Sequence, residues 1–321
     1  MRAVLYDTHG PAADVLRIAD VDRPEARAGE VRVRVEVSGV NPTDWKSRSG
    51  ATPREFGEFQ IPHQDGAGVI DAVGDGVDPA RVGQRVWVWL AAASQPWGTA
   101  AEYCVVPADQ AVPLPDGISM ELGASLGVPA MTAHRCLFAD GPVDNKYVLV
   151  AGGAGAVGHF AIELAKHAGA KVVATVSGPA KAELAARAGA DLVVNYREAG
   201  AVDQLRKFAP FDRIVELALG ANLALDLAVS GPQTHLVDYA AEPQDPVLPV
   251  RACMTANISL RFMLLYTVPR PALHEAAADI SRALTDGALT ELPVTRFPLE
   301  QAAAAHDAVE AGAVGKVVVV P

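Results

Sequence analysis

The sequence has few cysteines and no long apolar run. Its three cysteines, Cys104, Cys136 and Cys253, lie far apart and form no C-x-x-C pair, which excludes a disulfide framework or a four-cysteine zinc site within one chain. Proline, glycine or a charge interrupts every apolar run before the roughly 20 residues that cross a bilayer. The first residues also lack the apolar core of a signal peptide. We therefore expect a cytoplasmic protein without a membrane segment.

Positive charge is scarce as well. The chain has 27 Lys and Arg against 38 Asp and Glu, a formal net charge of −11 at pH 7. This balance repels nucleic acids and anionic membranes, and no basic run offsets it locally. The sequence also contains no Tyr-x-x-x-Lys pair, G-x-S-x-G elbow or H-E-x-x-H motif, which excludes several familiar acid–base, nucleophile and metal chemistries. We expect no nucleic-acid partner.

The strongest motif lies between Lys146 and Lys171. The apolar run Tyr147–Val150 predicts a buried strand, a G-x-G-x-x-G sequence follows it, and an apolar-periodic helix is expected from near Val157. Glycines at this spacing permit a tight turn, the approach of a pyrophosphate to the backbone and close helix packing. The alternative is a glycine turn that serves packing alone. The predicted pyrophosphate-binding residues are Gly153, Ala154, Gly155, Ala156, Val157 and Gly158.

Two different patterns divide the chain. After the glycine turn, the strand-like segments KVVATV, DLVVNY, FDRIVELAL and QTHLVDY alternate with Ala- and Leu-rich helical segments, which predicts an α/β Rossmann fold with a doubly wound parallel sheet. The first 121 residues instead contain short strands, such as the strictly alternating Val31–Val37, and frequent prolines. They predict a β-rich domain, with a crossing point near 107–117. The terminal KVVVV is expected to return to it.

Several segments, in this order, resemble the medium-chain dehydrogenase/reductase superfamily and, within it, its zinc-free, zeta-crystallin-like NADPH:quinone oxidoreductase group. They are GVNPTDWKSRSG, QDGAGVIDAVGDGV, GTAAEYCVVP, GASLGVPAMTAHRCL, AGGAGAVGHFAIELAKHAGA, GADLVVNYRE and GKVVVV. The resemblance implies a discontinuous GroES-like catalytic domain, 1–121 and 269–321, and a Rossmann domain, 122–268. It also implies an active site in the cleft between the domains and a homodimer, for which NISLRFMLLY is a candidate edge strand.

The zinc-binding members of that superfamily provide a test for metal. Their catalytic ligand positions fall here on Asn41, on Gln64 and near Val128, which do not form a set of zinc ligands. A shift of one residue would nominate His63, but His63 has no thiolate companion. We therefore expect no metal.

The end of the second Rossmann strand bears on the choice of cofactor. An NAD-specific site usually carries an acid there, for the ribose hydroxyl. Here the strand ends in Thr175–Gly178 without a carboxylate, and Lys181 follows. Ser177 and Lys181 suit a 2′-phosphate, which favours NADPH. In a compatible alternative, Ser177 caps the next helix, Pro179 occupies its first turn and Lys181 is solvated.

The resemblance adds further candidates. It places Tyr196 beside the adenosine phosphate, and Asn41, Thr132 and the Val237–Ala240 turn, which includes Asp238 and Tyr239, near the nicotinamide. Lys316 also matches the family. The candidates for the substrate cleft are Asn41, Trp45, Lys46 and Gln64. Asn41 could instead be a turn residue before Pro42. Lys46, where many relatives carry tyrosine, and Lys316 could be structural.

These expectations combine into one functional hypothesis. The chain is expected to transfer a hydride from NADPH to a quinone or a related electron-poor acceptor, without zinc and with no assigned catalytic residue. A quinone can take its proton from water, so positioning of the reactants dominates catalysis. One alternative is reduction of the carbon–carbon double bond of an enal or enone with NADPH. A second is a non-catalytic NADPH-binding structural or RNA-binding protein, which the acidic charge disfavours.

Overall fold

The computed structural model describes residues 1–52, 55, 57–242 and 244–321, and the chain divides into two units. The first unit comprises Met1–Val128 and Glu291–Pro321, and the second comprises Pro129–Thr290. In the part of the chain that the structure describes, the helices are too short or too polar to span a bilayer.

The strands, in chain order, are β1 (Arg2–Leu5), β2 (Arg17–Asp20), β3 (Glu30–Val40), β4 (Asp65–Val73), β5 (Arg85–Val88), β6 (Tyr103–Pro107), β7 (Ala111–Pro113), β8 (Tyr147–Val150), β9 (Lys171–Val176), β10 (Leu192–Asn195), β11 (Phe211–Glu216), β12 (Ser230–Asp238), β13 (Ser259–Phe262), β14 (Val294–Pro298) and β15 (Lys316–Val320). The helices are α1 (Ala12–Val15), α2 (Pro42–Ser49), α3 (Met120–Gly123), α4 (Met131–Phe138), α5 (Ala156–His167), α6 (Pro179–Arg187), α7 (Ala201–Arg206), α8 (Leu219–Val229), α9 (Val250–Thr255), α10 (Arg270–Thr285) and α11 (Ala302–Glu310).

The first unit is built on β3. Its alternating valines, Val31 to Val37, are buried, and the charged residues between them are more exposed, as the alternation predicts. A mixed sheet in the order β14-β15-β3-β4-β5-β7 surrounds this strand, and β6 also pairs with it. The terminal β15 runs antiparallel to β3, with Val317 opposite Val40. The C-terminal segment therefore completes a sheet that begins near the N-terminus.

The second unit contains a parallel sheet in the order β10-β9-β8-β11-β12-β13. Its strands β8, β9 and β10 carry apolar runs, such as Val148–Val150 and Val172–Val173, as is typical of parallel strands that are covered on both faces. Apolar residues of α7 and α8 pack on the sheet in one cluster. The helices α4 and α5 also pack against the sheet, α4 on β11 and α5 on β8 and β9. The predicted Rossmann architecture is confirmed. The strand order reverses between β8 and β11, which is where this fold binds dinucleotides.

The domain boundaries lie elsewhere than the sequence indicated. The helix α10 belongs to the second unit, where its buried face, including Leu273 and Ile280, packs on α4. A boundary at 268/269 placed this helix in the first domain, because an amphipathic pattern does not reveal what the apolar face contacts. At the other end, the Val128 main-chain N–H donates to Asp65 at 2.7 Å. This bond ties residues 122–128 to the first unit, beyond the expected boundary at 121.

A chain of buried hydrogen bonds crosses the first unit. The Thr99 hydroxyl donates to the Asp65 carbonyl, so the Ser38 hydroxyl, 2.7 Å away, must donate to Thr99. Nδ1 of His63, 2.8 Å from Ser38, must then donate to Ser38, and the His63 Nε2 accepts from Nε2 of His306 at 3.0 Å. The Asp65 carbonyl can only accept a hydrogen bond, and it therefore fixes the direction of every bond in the chain, including the tautomers of His63 and His306.

These two histidines predict a loss of stability in acid. Burial lowers the pKa of His63 well below its usual value, and burial lowers the pKa of His306 to about 3. The unfolded chain binds protons on both rings below about pH 6.5, whereas the folded chain does not. The contribution of these two histidines to the free energy of unfolding is therefore fully present above this pH and is lost progressively as the pH falls towards 3. Each proton contributes a slope of about 1.4 kcal/mol per pH unit.

His306→Gln should reduce the slope of the free energy of unfolding against pH by up to about 1.4 kcal/mol per pH unit between pH 3 and 6.5, which corresponds to one proton. The reason is that glutamine retains an N–H donor for His63 but does not titrate. Urea unfolding across this pH range measures the slope. His274→Gln, at an exposed position, is the matched control. An unchanged slope in His306→Gln would contradict the assignment of His306 as a buried neutral imidazole.

Candidate functional site

The glycine turn connects β8 to α5. A Cβ added to Gly158 would lie 2.3 Å from the Gly152 carbonyl oxygen, and one added to Gly153 would lie 2.7 Å from the Ala174 Cβ. Either substitution would push α5 away from the sheet. A Cβ on Gly155 would instead meet only the Gly152 oxygen, at 3.4 Å. Gly153 and Gly158 therefore serve packing, whereas Gly155 keeps the backbone open to an approaching group.

The N-terminus of α5 lies at the same turn. The helix begins at Ala156, one residue before the expected Val157, and its N-cap is Gly155, so no side chain caps it. The first main-chain N–H groups of a helix have no acceptor within the helix, and the helix dipole adds a partial positive charge there. Uncapped N–H groups beside an open glycine suit a phosphate. The turn therefore fits the pyrophosphate of a dinucleotide.

The end of β9 adjoins a second group of expected residues. Gly178 is the N-cap of α6 and no side chain caps that helix, so the alternative in which Ser177 is the cap is wrong. The main-chain N–H of Tyr196 donates to the Val176 carbonyl at 3.1 Å, which places Tyr196 beside the start of the Ser177 turn. Lys181 follows in the first turn of α6.

One further cation, not among the residues expected from the sequence, lies in this region. The Arg197 guanidinium lies 5.8 Å from the centre of the Tyr196 ring, so it extends over a residue that was itself expected at the adenosine phosphate. Arg197 directly follows Tyr196 in the sequence, and its charge was the signal that could have found it. Because Arg binds phosphate with several donors at once, it extends the candidate site.

The end of β12 forms the other part of this edge. Val237 and Asp238 pair in register with Val215 and Glu216 of β11, and the Tyr239 N–H donates to the Glu216 carbonyl at 3.1 Å. This turn therefore lies at the carboxyl edge of the sheet, like the glycine turn. Thr132 lies in the same unit, on α4, and is buried.

The remaining candidates belong to the first unit, where three buried polar side chains bind one another. The Lys316 Nζ lies 2.7 Å from the Asn41 Oδ1 and 3.4 Å from the Asp65 Oδ2. The Asn41 Nδ2 donates to the same Asp65 oxygen at 2.6 Å. All three side chains are at most 2% exposed. Asn41 is also the N-cap residue of α2, and its N–H donates to Asp44 at 2.7 Å, as the turn alternative expected.

Burial dominates the electrostatics of this cluster. It raises the pKa of Asp65 and lowers the pKa of Lys316, while the charge of each partner acts in the opposite direction. An ion pair in such surroundings is retained because removal of either partner leaves an uncompensated charge. Lys316 and Asp65 together orient the Asn41 amide from both sides.

The positions that would hold zinc in related dehydrogenases have other partners here. The Gln64 Oε1 accepts from the Ala92 N–H at 3.2 Å, Val128 contributes only its main chain to Asp65, and both ring nitrogens of His63 face Ser38 and His306. Among residues 1–52, 55, 57–242 and 244–321, no group of three or more His, Cys, Asp or Glu could hold a metal ion.

Two further cleft candidates lie together on α2. The Lys46 Nζ is 5.9 Å from the centre of the Trp45 ring, and both side chains are half-buried. This cation–π contact gives Lys46 a structural role, with its ammonium group close to the face of the Trp45 ring.

Comparison with known proteins supports the division of the chain. Residues 27–116 match the family model of the alcohol dehydrogenase GroES-like domain, and residues 156–282 match that of the zinc-binding dehydrogenases. The mouse quinone oxidoreductase is 30% identical over 315 residues, covering 96% of this chain and 93% of that protein. The chain belongs to the quinone oxidoreductase group of the medium-chain dehydrogenase/reductase superfamily. The human quinone oxidoreductase is 29% identical over 325 residues, covering 99% and 97% of the two chains.

Solved structures have a similar fold over the whole chain. A mycobacterial protein in complex with NADPH has 32% identity and a TM-score of 0.87, with 100% of both chains covered. The fold of the Escherichia coli quinone oxidoreductase in complex with NADPH is also similar, with 24% identity, a TM-score of 0.86 and 100% of both chains covered.

The buried ion pair generates a stability prediction. Lys316→Met should lower the free energy of unfolding by about 3–5 kcal/mol, because the Asp65 carboxylate would remain buried without its cation. Adding Asp65→Asn to this variant should restore most of the loss, since the charge is then removed from both sides. Urea unfolding at pH 7 measures both effects. Lys207→Met, at an exposed position, is the control, and a loss no greater than in this control would refute the role of the pair.

Proposed function

We propose that the chain is an NADPH-dependent oxidoreductase that delivers a hydride to a quinone or a related electron-poor acceptor. The observation that carries the proposal is the glycine turn, where Gly155 leaves the backbone open beside an uncapped helix N-terminus. The strand that should hold an acid for NAD ends without one. The names of the mouse and human relatives, and the NADPH complexes of similar structures, support the same activity.

The residues of the second unit have distinct tasks in this proposal. The main chain of Gly153–Gly158 binds the pyrophosphate. Ser177, Lys181, Tyr196 and Arg197 surround the 2′-phosphate. The Val237–Tyr239 turn borders the nicotinamide, which supplies the hydride when NADPH is bound. In the first unit, Lys316 and Asp65 hold the Asn41 amide in one orientation, and Trp45 and Lys46 remain candidates for contact with the acceptor.

The nearest alternative activity is reduction of the carbon–carbon double bond of an enal or enone. A panel of 1,4-benzoquinones and 2-enals, each with NADPH, separates the two. Turnover of the quinones supports the proposal, whereas turnover confined to enals would replace it. A non-catalytic role would require tight NADPH binding without turnover, together with salt-sensitive retention of RNA. The net charge of −11 disfavours RNA binding.

The proposal includes a homodimer in which β13 contacts the second subunit. This strand ends the sheet and pairs with β12 on one side, and Phe262 and the adjacent Leu264 are 65% and 54% exposed. An edge strand with exposed apolar side chains favours pairing with a second chain. Light scattering after size exclusion measures the mass, and a monomer at micromolar concentration would contradict this part.

A substitution at Gly155 separates cofactor binding from packing. Gly155→Val should lower the melting temperature only slightly, because a Cβ there would meet only the Gly152 carbonyl oxygen, at 3.4 Å, and the residue's φ of −77° suits any amino acid. It should weaken NADPH binding by roughly tenfold or more, since the side chain occupies the space of the pyrophosphate. Fluorescence titration measures the affinity. Gly57→Val, at an exposed position where an added Cβ would meet nothing within 4 Å, is the control. Undiminished NADPH affinity would refute the site.

The preference for NADPH should depend on Ser177. Ser177→Asp places a carboxylate where the 2′-phosphate is expected, so the affinity for NADPH should fall on the order of 100-fold through like-charge repulsion. The affinity for NADH should be retained or increased, because the carboxylate can accept a hydrogen bond from the free ribose hydroxyl. Parallel titrations with both cofactors measure the ratio. Equal losses for the two would place the 2′-phosphate elsewhere.

A further inference from the structure

Three carboxyl side chains converge at the carboxyl end of β11 and β12. Glu216 and Asp238 are register partners on the two strands. Two residues earlier, their counterparts Ile214 and Leu236 belong to the apolar cluster beneath α8. Because side chains alternate between the faces of a strand, Glu216 and Asp238 point to that same face. Asp226 lies on α8 itself.

Asp226 has no hydrogen-bond partner for either carboxylate oxygen in the described structure, although its exposure is 0%. Glu216, by contrast, accepts from the N–H groups of Leu217 and Ala218 at 2.6 Å and from Asn222 at 3.0 Å. A buried ionised carboxylate without such partners costs several kcal/mol or more. Asp226 is therefore protonated at neutral pH. Burial raises its pKa to about 8, with the charges of Glu216 and Asp238 adding to the effect.

Asp238 is the member of this cluster that lies at the very end of its strand. It retains 8% of its surface, and its Oδ1 accepts from the Ala240 N–H at 3.3 Å. Burial raises its pKa to about 6, and the carboxylates of Glu216 and Glu242 act in the same direction. On the opposite face, the charge of Asp238 raises the pKa of the Tyr239 phenol and of the Cys136 thiol, in both cases behind the larger effect of burial.

The position of the cluster in the sheet relates it to the proposed reaction. The strand order reverses between β8 and β11, and a dinucleotide lies across that point. The residues proposed for the 2′-phosphate follow β9 and β10, on one side of it. The reacting half of the cofactor must then lie over the ends of β11 and β12, where Asp238 is found.

We propose that Asp238 is the general acid of the reduction and gives its carboxyl proton to an oxygen of the acceptor. This inference rests on the proposed function. The quinone accepts a hydride, which is two electrons and one proton, and becomes the hydroquinone monoanion. The carboxyl O–H bond of Asp238 then breaks as the O–H bond of the hydroquinone forms. The Asp238 carboxylate recovers a proton from water, so one proton is consumed in each turnover.

This role predicts a particular pH dependence. Only the protonated carboxyl can donate, so the single-turnover rate of NADPH oxidation by a 1,4-benzoquinone should be highest near pH 5. It should decrease as the pH rises through about 6, towards the rate that water supports. General acids typically contribute about 10²- to 10⁴-fold. Asp238→Asn should show only the lower, pH-independent rate, because the amide keeps the bond to Ala240 but cannot donate a carboxyl proton.

Two variants control for structure. Asp238→Glu keeps a carboxyl and should restore part of the rate at low pH together with its pH dependence. Asp203→Asn makes the same chemical change at an exposed position and should match the unsubstituted protein. NADPH affinity, measured by fluorescence, should change far less in Asp238→Asn than the rate at low pH does, which separates a role in proton transfer from one in binding.

A second readout does not depend on turnover. In the cofactor-free protein labelled with ¹³C at the aspartate carboxyls, NMR should detect a group that titrates near pH 6 and is absent from Asp238→Asn. Failure of the unsubstituted protein to reduce any quinone with NADPH would refute the proposed function and this inference together. Normal quinone reduction, with an identical pH profile in Asp238→Asn, would overturn the role of Asp238 alone.

Discussion

The close contact between the Gly158 backbone and the Gly152 carbonyl determines where the N-terminus of α5 lies in the second unit. No side chain fits between these two segments, so α5 starts close to the end of β8, separated from it only by residues 151–155. Its free N–H groups therefore lie at the edge of the sheet instead of being covered by a loop. The residues proposed for the 2′-phosphate and the Val237–Tyr239 turn proposed for the nicotinamide also lie along this edge, after β9, β10 and β12. A wider turn would move the proposed phosphate site away from them.

The first unit depends on a different constraint, the compensation of a charge that water cannot reach. Lys316, the first residue of the last strand, neutralises Asp65 at the start of β4 and holds Asn41 ahead of α2. The same carboxylate binds the Val128 N–H. Residues from distant parts of the chain thus meet at one carboxylate. Asn41, one of the positions compared with zinc ligands, is thereby engaged on both sides of its amide, by Lys316 and by Asp65.

Much of this arrangement could be predicted because it is local in sequence. The glycine spacing before α5 and the valine alternation in β3 each depend on a short segment, and the structure places both as expected. The partner of α10 could not be predicted, since an apolar helical face fits any complementary surface. The same holds for the protonated state of Asp226. An aspartate in a helical segment is normally solvated, and only the packing of α8 on the sheet removes it from water.

The charges along the edge of the second unit follow from the chemistry proposed for it. Lys181 and Arg197 lie on the side of β9 and β10, where the 2′-phosphate of the cofactor is proposed to bind. The carboxyls of Glu216, Asp226 and Asp238 lie on the side of β11 and β12. If the nicotinamide binds there as proposed, a neighbouring carboxylate would stabilise the positive charge that hydride donation creates, through a largely desolvated medium. Proton donation would convert Asp238 from the neutral to the charged form at the same moment. The two transfers would then assist each other, because each creates the charge that the other requires.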